Sequence, residues 1–564
     1  MNYMKKLMLK KSLFSGGLML LAALLTTTSC KEVLGSLDNP VSSYLTVNVA
    51  DVTIPTGDNF QLKTETINSD NPVSFKSSDE SVATVDANGL VTGVADGEAT
   101  ILVSVAASQY YQEGTKEVKV AVKRPLTFEA LEDGQIKVTY NYGVSLEKPI
   151  VYTIDGKEKK EITATTSIPV TKGQKVEFES TNDHTSDYGP YTYSWGTEYT
   201  NRYVNIQPQS KCAVYGNVMS MITPDGNYHT NKTITKDYAL QYLLRGTYKQ
   251  TGTDYDYKTV SHDKYKLLLP ATTLTNYCYY FLFYNTGITE VPELPATKLA
   301  PACYACMFSG CKSLITAPAL PATELATDCY NSIFRGCTSL TAAPALPATE
   351  LVSGCYLSMF QGCTGLTAAP ELPATTLAFA CYHGMFSGCT GLTVAPELPA
   401  TTLANSCYYQ MFFGCRSLKA APALPNTTLA GSCYYQMFYG CTSLKAAPEL
   451  PATTLESSCY CQMFYGCTSL TDAPELPAES LPRNCYYQMF FNCSKLNKVT
   501  CLAKEMTDNY AICQWLYGAG TDESVTERTF VHNKDNTSWV NTSSSAWSTD
   551  QWYVPTGWTI VDAE

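Results

Sequence analysis

Sixteen cysteines in two interleaved series are the residues of this chain best placed to do chemistry. The first series is Cys303, Cys329, Cys355, Cys381, Cys407, Cys433, Cys459 and Cys485; the second follows eight residues later in every copy, from Cys311 to Cys493. Thiols offer metal ligation, nucleophilic attack or disulfide formation. A metal centre needs Cys and His gathered at ligand spacing, whereas these cysteines recur at an even gap and the five histidines are scattered. A nucleophilic thiol needs a neighbouring base. His383 is the only histidine among the copies, and it falls at a variable position expected to face water. Two readings stay open: ladders of buried thiols acting as small hydrophobes, or one bridge per copy, which requires α-carbons within about 6–7 Å. Glu371, Glu397 and Glu449 also recur once per copy. Neighbours in that row could approach the ~5 Å separation of a retaining glycosidase, but a periodic row is more simply a solvated edge. The chain holds no HExxH, G-x-S-x-G, phosphate-binding loop or dinucleotide fingerprint. A non-enzymatic protein without metal or cofactor is expected.

What positions these cysteines is a 26-residue repeat, one copy of which reads CYYQMFYGCTSLKAAPELPATTLESS from Cys433. A fixed period of this length marks a stacked array, and stacked arrays build long binding surfaces. Counting the first Cys of a copy as zero, +1 is always Tyr and +5 always Phe; +4 is Met in seven copies and Ile333 in the other. At about 100° per residue, positions 0, +1, +4 and +5 fall within an arc of about 140°. This predicts a short helix with that face buried and +2, +3 and +6 in solvent. Position +7 is Gly in seven copies and Asn492 in the eighth, the exchange expected of a left-handed residue ending a helix. The following L-x-x-A-P-x-L-P, as in Leu418 to Pro425, predicts a very short extended segment around +11 to +14, since proline stops a backbone ladder. Strand, return and helix make one coil of a leucine-rich-repeat solenoid. A degenerate copy starts at Cys278 and lacks the second Cys.

The motif M-F-x-G-C-T-S-L resembles the A-F-x-x-C-x-x-L core of BspA-like leucine-rich repeats, over about 230 of the 564 residues. It differs in carrying A-P-x-L-P in place of a β-branched strand pair. The resemblance implies a bacterial surface protein that attaches to host proteins or to cell surfaces.

The chain opens with Lys5, Lys6, Lys10 and Lys11, then an apolar run Ser12–Leu25. That run is too short to span a bilayer, which takes about 20 residues, and fits a signal peptide. Cys30 after Thr-Thr-Ser resembles a lipoprotein processing site, implying lipidation of Cys30 and anchoring in the outer membrane, exposed at the cell surface. Residues 30–43 form a tether. The stretch VSFKSSDESVATVDANGLVTGVADGEATI, within 44–124, closely resembles bacterial Ig-like domains of group 2 and implies a β-sandwich; Asn88-Gly89 is its hairpin signal. Residues 125–215 read as a second β-sandwich with Asp155-Gly156 as a turn. Residues 216–269 are expected to cap the solenoid at its N-terminal end, 270–500 to form it, and 501–564 to cap its C-terminal end with Trp515, Trp539, Trp547, Trp552 and Trp558. The fold class is therefore multidomain: all-β Ig-like sandwiches followed by a solenoid.

The formal charge, 39 − 51 = −12, disfavours nucleic acid as a partner. The solenoid is poor in charge, so its surface is neutral, hydroxyl-rich and aromatic, suited to proteins or glycans. In the later copies +6 is Phe413, Tyr439, Tyr465 and Phe491, and +2 includes Tyr409, Tyr435 and Tyr487. These rings either mark a binding strip or stack coil on coil to shield the core. The expected function is adhesin-like attachment through a lipid-anchored solenoid; the alternative is glycan capture for a polysaccharide uptake system.

Overall fold

The structure, a computed structural model, describes residues 40–67, 69–193, 196–248, 255–256, 258–508, 510–542 and 552–563. The signal peptide, Cys30 and Trp547 lie outside the described residues. The chain divides into two compact units, Met1–Arg124 and Pro125–Glu564.

In the first unit the strands are β1 (Tyr44–Val47), β2 (Asp51–Ile54), β3 (Asn59–Gln61), β4 (Thr64–Ile67), β5 (Val73–Ser77), β6 (Ala83–Val85), β7 (Leu90–Gly93), β8 (Gly97–Val105) and β9 (Gly114–Val122). They form sheets β2-β9-β8-β5, β3-β7-β6 and β1-β4. Strict alternation puts Ile101, Val103, Val118 and Val120 inside, as period-2 patterning requires. The Asn88-Gly89 signal is a real turn. Asp86 Oδ1 accepts from the N–H groups of Asn88 and Leu90, both at 2.8 Å, and Gly89 has φ +80°.

The second unit begins with two β-sheets. Its strands are β10 (Leu126–Ala130), β11 (Gly134–Asn141), β12 (Ile150–Ile154), β13 (Lys160–Ile162), β14 (Thr166–Val170), β15 (Lys175–Glu179), β16 (Ser186–Tyr193), β17 (Gly196–Pro208) and β18 (Cys212–Asn217). One sheet runs β13-β12-β15-β10-β18 and the other β14-β11-β17-β16. Asp155-Gly156 turns between β12 and β13 with both φ positive. This pair of sheets is not a separate body: one hydrophobic core runs from Leu126 and Phe128 through every repeat to Trp558.

The repeats stack copy on copy, but the predicted helix is absent. Among the described residues the regular helical segments are limited to a single 3₁₀ turn, Val218–Met221. From zero to +8 the backbone instead runs through overlapping turns. In the copy at Cys433, the N–H groups of Cys433, Tyr435, Met437, Tyr439 and Cys441 each donate to the carbonyl three residues back, at 3.1–3.3 Å. The intervening N–H groups of Tyr434, Gln436, Phe438 and Gly440 donate to Cys459, Cys461, Met463 and Tyr465 of the next copy, at 2.7–3.0 Å. Every N–H in the segment is used, half locally and half between copies, which meets the requirement on buried backbone donors. A helix of that length is marginal alone and would couple to its neighbours through side chains only.

Left-handed residues every four positions make this turn ladder. Ser432 (φ +55°), Gln436 (+52°) and Gly440 (+68°) show the pattern. It sends residues inward in pairs, so zero, +1, +4, +5 and +8 are buried: Cys433, Tyr434, Met437, Phe438 and Cys441 are each at most 1 % exposed. The buried face is the one the helical reading selected, because a cycle of four and a period of 3.6 coincide over two turns. The left-handed residue expected at +7 is there; the one at +3 is a glycine only in the copy at Cys381, as Gly384 (φ +60°).

Along most of the stack the +11 to +14 segment shrinks to isolated parallel bridges at +13, such as Thr316 with Ala342 and Ala446 with Asp472, and it becomes a regular strand only in the copies at Cys459 and Cys485. A second bridge column lies at +21, as in Glu350 with Thr376. The stack is longer than its cysteines. Leu240, Tyr242 and Leu244 donate to Cys278, Tyr280 and Leu282, and Ala511, Cys513, Trp515 and Tyr517 accept from the copy at Cys485. Residues 239–246 and 511–519 are therefore further rows, where caps were expected. The pair of sheets itself covers the first row: Thr185 and Ile206 donate to Ala239 and Leu243. At the other end Asp472–Leu476, Lys498–Cys501, Thr529–His532 and Thr559–Asp562 form a parallel sheet. Trp515, Trp539, Trp552 and Trp558 pack on the core there, and Trp515 Nε1 donates to Tyr553 O at 3.1 Å.

Candidate recognition face

None of the 22 described cysteines is bonded to another. In the second series each thiol donates to the Phe carbonyl of the preceding copy: Cys441 to Phe412, Cys467 to Phe438, both at 3.1 Å. Phe438 O thus accepts from Cys441 N–H and Cys467 S–H together. A side chain there must be small, largely apolar and a donor, which is a description of cysteine. Burial raises these thiols; Cys389 and Cys467 are pushed up to about 12. They pack as buried groups; no group of three or more His, Cys, Asp or Glu able to hold a metal occurs among the described residues, and His383 stacks on Tyr409 at 4.5 Å. Burial lowers its pKa.

The predicted binding residues fall into two ring columns. At +6, Phe413, Tyr439, Tyr465, Phe491 and Tyr517 stack with centroids 4.7, 4.4, 4.6 and 4.9 Å apart. At +2, Tyr409 and Tyr435 stack at 4.4 Å with planes 5° apart. Cys461 then interrupts the column before Tyr487; burial, then the nearby Cys461 thiol, raises the Tyr435 hydroxyl. The rings are half-buried, except Tyr517 at the column end, which is exposed. Stacked copy on copy, the rings shield one another, and their edges line this face, with Cys461 breaking the +2 column.

Sequence reasoning missed the column between them. Position +3 is Gln410, Gln436, Gln462, Gln488 and Gln514, and each amide donates to the next: Gln410 Nε2 to Gln436 Oε1, Gln436 to Gln462 at 2.5 Å, Gln462 to Gln488 at 2.5 Å, Gln488 to Gln514 at 2.6 Å. The recurring Y-Y-Q-M-F carried the signal, but on a helix +3 is simply solvent. A one-directional amide chain flanked by ring columns is the side-chain order of a steric zipper, and aligned amide dipoles strengthen one another. Each ladder Nε2 has a second N–H besides the one used in the ladder.

Chemically, this face presents ring edges, phenol hydroxyls and amides at coil spacing. Ring faces inside the ladders are covered by the neighbouring rings, so stacking of a sugar on them is blocked except at column ends. The earlier copies differ: Ser309, Ser332, Ser358 and Ser387 lie close to the backbone and are buried. The opposite side, around Lys419, Lys445 and Thr471, is exposed and irregular in charge. Glu371, Glu397 and Glu449 are exposed, as a solvated edge should be.

Residues 44–120 match the family model of the bacterial Ig-like domain (group 2). No curated protein matches the chain.

Proposed function

We propose that this chain is a non-catalytic, surface-displayed binding protein, with the repeat stack as its recognition body and the C-terminal aromatic–amide strip as its contact face. The observation that carries the reading is the strip itself: two ring columns and a glutamine ladder held in register by backbone bonds between copies. Tyrosine-rich, rigid, uncharged surfaces suit protein partners, where aromatic anchors dominate binding energy. The likeness of M-F-x-G-C-T-S-L to BspA-like repeats points the same way, towards attachment to host proteins or cell surfaces. On this reading Cys30 carries lipid, the protein sits on the outer membrane, and the group 2 Ig-like domain is a spacer between membrane and stack.

A second reading, glycan capture for an uptake system, is supported by the second amide N–H groups and phenols of the strip but opposed by its covered ring faces. An array of immobilised matrix proteins and glycans probed with the full chain separates the two. Binding to protein spots supports the first reading, binding confined to glycans supports the second, and no binding on either removes both. Labelling cells with a palmitate analogue tests the anchor: Cys30→Ser should lose the label and the membrane fraction, and retained label would refute it.

A further inference from the structure

The outward columns carry aromatic residues at the opposite end of the stack as well, and there they surround a cation. Arg245 occupies +6 of the first row. Its guanidinium carbon lies 5.3 Å from the Tyr242 ring centroid and 5.5 Å from that of Tyr284, which is +6 of the following row. Tyr242 is itself packed on Tyr203 at 4.5 Å and on Phe281 at 5.3 Å with planes 18° apart. Tyr203 comes from β17, and Tyr142, beyond β11, adds a ring 6.1 Å from it. Tyr142 is 40 % exposed and held at φ +52°, a conformation that costs a non-glycine residue energy and persists where the surroundings impose it.

The backbone under this arginine is pinned. Asn205, itself buried, donates from Nδ2 to Tyr242 O at 2.8 Å and to Arg245 O at 3.1 Å; Gln207 Nε2 donates to Arg245 O at 3.0 Å. Side chains of β17 thus fix the first row at the residue that carries the charge, which is the supporting shell a binding group needs. No carboxylate pairs with Arg245 among the described residues, although acidic side chains outnumber basic ones in this chain.

We infer that Arg245 and its ring collar form a second anchor point that receives a carboxylate from an acidic segment of a protein partner. The Tyr242 and Tyr284 rings flank the guanidinium and the Tyr203 hydroxyl accepts a hydrogen bond from it, so what is left to a ligand is the rest of its edge, where the N–H donors lie in a planar fork matched to a carboxylate. The covered ring faces disfavour a sugar, which would need an open face to stack on. Tyr and Arg packed together at a preorganised site are the composition of an interface hot spot. The inference rests on the protein-binding reading but concerns a different site, so the two can fail separately.

The test uses the full chain and a soluble Asp–Ser repeat peptide, with the Asn–Ser peptide as its uncharged counterpart and polygalacturonate as an acidic glycan, each followed by calorimetry and tyrosine fluorescence. The Asp peptide should bind at least about tenfold more tightly than the Asn peptide, and binding should weaken as salt rises from about 0.05 to about 0.3 M. Arg245→Gln should lose about tenfold or more, with Arg245→Lys intermediate and both folded by circular dichroism. A variant with Tyr409, Tyr435, Tyr439, Tyr465 and Tyr487 changed to Ser should bind the Asp peptide normally, which separates this site from the C-terminal strip. Equal binding of the two peptides, no measurable binding of either, unchanged binding by folded Arg245→Gln, or binding of polygalacturonate alone would overturn the inference.

Discussion

Truncating Phe438 to Ala should open the stack locally, and truncating Tyr435 three residues earlier should hardly do so. Phe438 is fully buried and lies between Phe412 at 5.7 Å and Phe464 at 5.6 Å. Removing a buried Phe costs about 3–5 kcal/mol, and here two ring contacts disappear together. Tyr435 is half-buried and meets one ring, Tyr409; its loss is worth about 1 kcal/mol. Repeat arrays unfold in pieces, so a single melting midpoint blurs the comparison. Hydrogen exchange on peptides covering 407–467 at rising urea reads the local opening free energy instead. Phe438→Ala should speed exchange there by a factor on the order of 10² to 10³, and Tyr435→Ala by about fivefold. Equal acceleration by the two variants would refute the inward-pair geometry.

Alkylation after denaturation without reductant should modify the sixteen column cysteines, and intact masses showing bridges would contradict the free-thiol columns. Because burial raises thiols such as Cys389, Cys407 and Cys467 from 9.0 to about 12, the folded state holds protons the unfolded chain releases. Their contribution is whole below about pH 9 and is lost as pH rises towards about 12, so the urea midpoint should fall steeply above pH 9; a flat profile to pH 11 would count against buried thiols. Tyr434 donates to Asn426 Oδ1 at 2.9 Å, whereas the Tyr356 hydroxyl is buried without a partner among the described residues. Tyr434→Phe should therefore cost about 1–3 kcal/mol and Tyr356→Phe close to nothing, or stabilise; equal costs by exchange measurements would refute the assignment. Gln462→Ala, which breaks two rungs of the amide ladder, should cost about 1–2 kcal/mol, and no change in local exchange would remove the ladder from the account.

Much of this was legible in residues that recur. Tyr, Met and Phe at +1, +4 and +5 named the buried face, Asn88-Gly89 and Asp155-Gly156 named their turns, and the tryptophans near the end named a covered edge. The helix was not legible as wrong, because pairs of buried residues four apart satisfy a turn ladder and a helix alike. The decisive backbone signal was spread over Ser432 and Gln436, left-handed residues whose identities do not require that conformation. The row at Ala511 kept the 26-residue spacing from Cys485, Gln514 at +3 and Gly518 at +7, but had exchanged the buried markers: Ala for Cys, Ile for Tyr, Trp for Met, Leu for Phe. The row at Ala239 lost even the spacing. The glutamine column stayed hidden because its bonds exist only between copies, and no single copy displays them.

The claim that the C-terminal strip is the contact face is tested most directly by attachment. Beads coated with the full chain, and beads coated with the variant carrying Ser at Tyr409, Tyr435, Tyr439, Tyr465 and Tyr487, are presented to host-derived protein surfaces after both are shown folded by circular dichroism. The account predicts that the wild type attaches and the variant loses most of that attachment. Undiminished attachment by the folded variant would contradict it and move the face to the side bearing Lys419, Lys445 and Thr471.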